Sequence, residues 1–110
     1  MKHILTTLAA VMLTGAVMAQ SLDSLERAVK TAKGDQQVKA LNELFRAYLN
    51  SDPVKAIGFT REALSLALDI GDEKGKAASY NNLGVAYRNQ GAFDKALEYV
   101  NSGQYRWNAG

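Results

Sequence analysis

The sequence predicts an all-α fold built of antiparallel helical hairpins stacked side by side, and three observations carry that expectation. Apolar residues recur at spacings of three and four through most of the chain after Gln20, which places them on one face of a helix. Gly-Asp pairs and one Asp-Pro break the pattern at short intervals, and no alternating β-branched run is left to form a sheet. Equivalent residues also recur at a fixed distance, Leu44 and Leu83 standing 39 residues apart, which marks a repeated supersecondary unit.

The chain has 110 residues, 47% of them hydrophobic, enough for one small ordered domain. Its start is of a different character. Lys2 and His3 precede the apolar run ILTTLAAVMLTGAV, and Val17 and Ala19 stand at the −3 and −1 places before Gln20. A positive start, an apolar middle and a small-residue exit describe a secretory signal peptide over 1–19. The apolar run is short for a membrane span, so no stable span is expected after cleavage. The predicted location is periplasmic or secreted, in a bacterium. Loss of Lys2 leaves twelve Lys/Arg against eleven Asp/Glu, a balance that does not point to nucleic acid. With no cysteine, the exported domain has no disulfide to help it and must rely on its apolar core or on a neighbour.

The first predicted helix, Leu22 to Lys33, carries Leu22, Leu25, Ala28, Val29 and Ala32 as its stripe. Gly34-Asp35 ends it and offers Asp35 as the next cap. The second runs from about Gln36 to Asn50, with Val38, Leu41, Leu44, Phe45 and Tyr48 on its apolar face. In "NSDP", Asp52 caps a third helix and Pro53 takes its first turn, where a missing N–H costs nothing. That helix, Pro53 to Ile70, carries a broad band of Ala56, Ile57, Ala63, Leu64, Leu66, Ala67 and Leu68, as expected for contact on more than one side.

Gly71-Asp72 closes it. The fourth helix starts at Glu73 or Gly75 and runs to Gln90, packing through Ala77, Tyr80, Leu83, Gly84, Ala86 and Tyr87. Gly91 stops it, and the fifth runs from Phe93 to about Asn101, weakened in its last turn by Gly103. Residues 104–110 read as an irregular tail.

The second and third helices pair as one unit (36–72), the fourth and fifth as another (73–103). Residues 20–35 supply a partial unit or N-terminal capping helix. Leu44, Tyr48, Ala56 and Ala63 in the earlier unit are echoed by Leu83, Tyr87, Ala96 and Gly103 in the later one. A helical repeat of this period implies a short solenoid of hairpins.

From Ala77 onward the chain resembles the tetratricopeptide repeat. Tyr80, Leu83, Gly84 and Tyr87 match the family pattern on the first helix, Gly91 and Phe93 at the turn, and Ala96 on the second. The earlier unit keeps Leu41, Leu44, Tyr48, Ala56 and Ala63 but has Phe45 where a small residue is expected. The junction LALDIGDEKGKAASYNNLG resembles the subtype with longer repeats found in bacterial scaffolding proteins and in sensor regions. The bottom-up reading agrees: Gly84 and Ala96 allow close helix approach, Tyr80, Leu83, Tyr87 and Phe93 fill the space around it, and Gly91 accepts a tight turn.

Chemistry is sparse. The one histidine is His3, inside the predicted signal peptide, so the remaining chain has neither a Cys/His nor a Ser/His nucleophile pair nor a typical zinc site. Gly84 and Gly91 lie seven residues apart in a predicted helix with no following Lys-Ser/Thr, which is not a phosphate loop. Asp69, Asp72 and Glu73 read as capping and solvated groups without the ligand alternation of a calcium loop. No catalytic residue, metal or cofactor is expected.

The resemblance implies instead a protein or peptide partner held on the concave face by the first helix of each unit. The matching positions are Asn42, Glu43, Arg46 and Asn50, then Asn81, Asn82, Val85, Arg88 and Asn89. They lie off the predicted packing stripe and are expected to be exposed, where amides and guanidinium groups suit peptide backbone and carboxylates. At the other end Tyr99, Val100, Tyr105 and Trp107 are expected to leave an apolar surface. Three routes are expected to account for it: truncation of a longer array, self-association through that end, or a tail that folds back on it. Two alternative functions follow: a sensing segment of a larger signalling protein, and a structural or oligomerising element.

Overall fold

The computed structural model describes the backbone over residues 22–109 and side-chain surroundings over 22–103; the predicted signal peptide lies outside the described residues. The fold is all-α. Helix α1 spans 22–31, α2 Asp35–Tyr48, α3 Pro53–Ile70, α4 Glu73–Asn89 and α5 Phe93–Ala109, with no strand among the described residues.

Local chemistry sets the boundaries. The Lys55 backbone N–H donates to Asp52 Oδ1 at 3.2 Å and the Gly75 N–H to Asp72 Oδ1 at 2.9 Å, each satisfying a first-turn donor that has no helical partner. Pro53 follows Asp52 in the first turn, as the sequence predicts. Asp35 does not cap: it is the first residue of α2, and Gly34 precedes it with no side-chain bond to the helix start. Its carboxylate still faces the favourable end of the helix dipole. Gly71 and Gly91 terminate α3 and α4 at φ of 72° and 79°, a left-handed conformation that a Cβ disfavours.

Consecutive helices run antiparallel. Val38 and Leu41 of α2 cluster with Ala63 and Ala67 of α3, while Phe45, further along α2, clusters with Ala56, earlier in α3. Burial of Val38, Leu41, Leu44 and Phe45 to within 2% of full contributes roughly 1.5–3 kcal/mol per large side chain. A third cluster joins Leu83, Tyr87 and Ala96, with Ile57 and Leu64 of α3 packed against it. Thus α3 is held from both sides, which explains its broad apolar band. Leu68 and Ile70 nonetheless stay 47% and 45% exposed, because they lie near the end of α3 beyond these clusters.

Close approach of α4 and α5 depends on small residues. A Cβ on Gly84 would lie 2.5 Å from Val100 Cγ2 and 3.2 Å from the Ala96 carbonyl oxygen, and one on Gly103 would lie 3.0 Å from Tyr80 Cβ. This packing also corrects the expected end of the fifth helix. Helix α5 continues through Gly103 to Ala109, where an irregular tail from residue 104 was expected. The glycine that weakens the helix intrinsically is the residue that lets it lie against Tyr80, and tertiary contact outweighs propensity.

Phe93 departs from expectation as well. It is 66% exposed and belongs to no buried cluster, because the first turn of α5 leaves it at the rim of an open hollow lined by α4 and α5. Tyr99 and Val100, expected at an exposed end, are half-buried. Tyr99 stacks on Tyr87 with ring centroids 5.4 Å apart, and Val100 lies over Gly84.

Candidate functional site

Helices α2 and α4 lie side by side and parallel. Val38 meets Gly75, Asn42 bonds Ser79 and Asn82, and Phe45 clusters with Ala86; contacts therefore advance along both helices together. Gly75 makes the first of these contacts, since a Cβ there would lie 2.6 Å from Val38 Cγ1.

The parallel pair borders a groove of about 300 Å³ whose lining includes Asp35, Lys39, Glu43, Arg46, Asp72 and Lys74. Asp35, Lys39, Glu43 and Arg46 follow one another at intervals of three or four on α2, so they form one face of that helix. The ion pair found among the described residues, Lys76 Nζ to Glu73 Oε1 at 2.6 Å, lies outside this lining. Lys39, Arg46 and Lys74 take part in no ion pair there, and all three are exposed. Their charges are open to a ligand.

Beneath the charges is a network of buried polar side chains. Asn42 Oδ1 accepts from Thr60 Oγ1 at 2.8 Å and from Asn82 Nδ2 at 3.1 Å, and Asn42 Nδ2 donates to Ser79 Oγ at 3.0 Å. Ser79 Oγ in turn donates to the Gly75 carbonyl at 2.8 Å. One amide therefore ties together α2, α3 and α4. No described buried side-chain N or O lacks a partner, so the network is satisfied rather than strained.

This geometry divides the predicted site. Glu43 and Arg46 line the groove with Asn42 beneath them. Asn42 and Asn82, expected to be exposed, are 5% and 6% exposed and bonded to each other. They are committed to holding the helices and set the groove's floor. Asn81, Val85 and Arg88 line a second hollow, between α4 and α5. Asn50 and Asn89 are exposed near the ends of α2 and α4 and line neither.

Sequence reasoning missed Asp35, Lys39 and Lys74 in the groove. It also missed Thr60 and Ser79, which are wholly buried. Their signal was present: Thr60 falls four residues after Ala56, and Ser79 four before Leu83, polar residues at core spacing that must find partners inside.

Two lysine–tyrosine pairs stand at the turns of the α2–α3 and α4–α5 hairpins. Lys55 Nζ lies 4.4 Å from the Tyr48 ring centroid, and Lys95 Nζ lies 4.5 Å from that of Tyr87. Each is a cation over an aromatic face across the turn of its hairpin. The two tyrosines differ at the hydroxyl. Tyr48 OH donates to Glu26 Oε1 at 3.0 Å, fastening α1, whereas Tyr87 OH accepts from Arg61 of α3.

No protein-family model matches the chain, and no curated protein or solved structure matches it either.

Proposed function

We propose that this chain is an exported tetratricopeptide-repeat-like module that captures an extended protein or peptide segment in the groove between α2 and α4, without catalysis of its own. The observation that carries the reading is the groove itself. Open cations Lys39, Arg46 and Lys74 and the acids Asp35 and Glu43 line it, over a floor held by the Asn42 network. Mixed charges on a rigid floor suit a segment whose own charged side chains alternate along its length, since charge-assisted hydrogen bonds are about twice as strong as neutral ones. Preorganisation lowers the ordering cost on the protein side.

Two features support the wider reading. Two antiparallel hairpins with parallel first helices and a 39-residue register between Tyr48 and Tyr87 are what a short helical solenoid requires. The positive, apolar and small-residue order of residues 1–19 supports export.

Panning random displayed peptides against the chain tests the function. Recovered peptides are expected to carry both acidic and basic residues and to lose at least tenfold in affinity on Arg46→Glu with Lys74→Glu. Both sites are exposed, so the fold should survive. Failure to enrich any sequence, or full binding by the double variant, would sink the reading.

A further inference from the structure

We propose that the α2–α4 groove reads charge order: it selects an extended segment in which every second residue is charged, cation and anion in turn, with a cation at the end nearest the start of α2. The inference rests on the peptide-capture reading above and names the chemistry of the segment captured.

The sequence of charges along the groove supplies the argument. Gly75 meets Val38 and Ser79 bonds Asn42, an offset of 37 residues between α4 and α2. That offset sets Asp72 level with Asp35, and Lys74 between the levels of Asp35 and Lys39. From the start of α2 the lining therefore runs as two acids, Asp35 and Asp72, two cations, Lys39 and Lys74, the acid Glu43 and the cation Arg46. The sign reverses at each step. None of these six side chains makes an ion pair among the described residues. Asp72 accepts the Gly75 N–H at 2.9 Å and keeps its charge.

The spacing of the steps fits an extended chain. At a rise of 1.5 Å per residue, Asp35, Lys39 and Glu43 stand about 6 Å apart along α2 and Arg46 about 4.5 Å further on. Their turn about the helix axis keeps all four within an arc of about 80°. In an extended segment, side chains two residues apart share a face and lie about 6.6 Å apart. Alternate residues thus keep step with the first three levels, and the long Arg46 side chain takes up a lag of about 3 Å at the fourth. Charges on adjacent residues would point to opposite faces, so that only half of them reached the groove.

The floor holds this order in place. Asn42 is 5% exposed and tied to Thr60, Ser79 and Asn82, so α2 and α4 keep their offset when a segment binds. Gln36, exposed on the same lining, offers its amide to the segment's backbone. A single pair of exposed charges is worth little. Selectivity comes from four in register, where each misplaced charge exchanges an attraction for a repulsion.

The test measures fluorescence anisotropy of labelled peptides against the full chain at low ionic strength. The alternating peptide Lys-Thr-Glu-Thr-Lys-Thr-Glu is expected to bind at least about fivefold tighter than its isomer Lys-Thr-Lys-Thr-Glu-Thr-Glu, and the preference should shrink as salt is added. The isomer has the same composition and spacing, yet matches only two of the four levels in either direction. Arg46→Glu, an exposed site, should change the code. That variant is expected to prefer Lys-Thr-Glu-Thr-Lys-Thr-Lys over Lys-Thr-Lys-Thr-Lys-Thr-Glu by a similar factor, although the two carry the same net charge. Circular dichroism should show it folded.

Equal affinity within either pair would overturn the charge order. If Arg46→Glu with Lys74→Glu then still abolishes binding of both peptides of the first pair, capture in the groove stands without it. Tighter binding of a helix-stabilised peptide with the same four charges spaced four residues apart would overturn the extended segment. No binding by any of these peptides would overturn the charge order and the capture reading together.

Discussion

Replacing Asn42 by Ala should destabilise the fold far more than replacing Asn81, the asparagine 39 positions later. The two are the same residue type on corresponding helices, and only surroundings separate them. Asn42 is 5% exposed and satisfies Thr60 Oγ1, Asn82 Nδ2 and Ser79 Oγ. Its loss orphans the Thr60 hydroxyl, which is wholly buried, and the Asn82 amide. Each orphaned buried donor costs about 1–3 kcal/mol, so the variant should lose about 2–6 kcal/mol. Ser79 keeps its bond to the Gly75 carbonyl and adds little. Asn81 is exposed, and its truncation should stay within about 0.5 kcal/mol.

Urea unfolding followed by circular dichroism reads the difference. With a slope of about 1 kcal/mol per molar for a domain this small, Asn42→Ala should lower the midpoint by about 2 M or more, while Asn81→Ala leaves it within about 0.5 M. A loss under about 1 kcal/mol for Asn42→Ala, or equal losses for the two variants, would refute the claim that the buried amide network holds the three helices in place.

Two glycines should respond in opposite directions to Ala. Gly75→Ala drives a Cβ to 2.6 Å from Val38 Cγ1 and should cost about 1–3 kcal/mol. Gly58→Ala, where a Cβ meets nothing within 4 Å inside α3, should gain about 0.5–1 kcal/mol. Thermal melts of both compare them directly. Asp52→Ala removes the acceptor for the Lys55 N–H and should cost about 1 kcal/mol, with faster amide exchange at Lys55.

Much of the fold is legible in the sequence where a helix boundary rests on chemistry close in the chain. Helix α3 begins and ends as predicted because an Asp-Pro start and a left-handed glycine stop act locally. Propensity alone ends α5 too early, because the role of Gly103 is set by Tyr80, 23 residues earlier. The site was legible in part for a related reason. Arg46 and Glu43 follow from helical periodicity, but Asn42 and Asn82 look like water-facing amides until Thr60 and Ser79 are seen beside them. A polar side chain declares its need for a partner, not the partner's place. The contribution of Asp35, Lys39 and Lys74 depends on α4 lying parallel to α2, which no single helix stripe encodes. Phe93 illustrates the same point in reverse: its apolar type suggests burial, and the position of the α4–α5 turn denies it.

The most direct test of the peptide-groove claim is a titration of the isotope-labelled chain with a panned peptide, following backbone amides by nuclear magnetic resonance. The groove account predicts that the resonances of Lys39, Glu43, Arg46 and Lys74 move together and saturate at one affinity. Shifts confined to Phe93, Leu97 and their neighbours, or no shifts along the α2–α4 face, would contradict it.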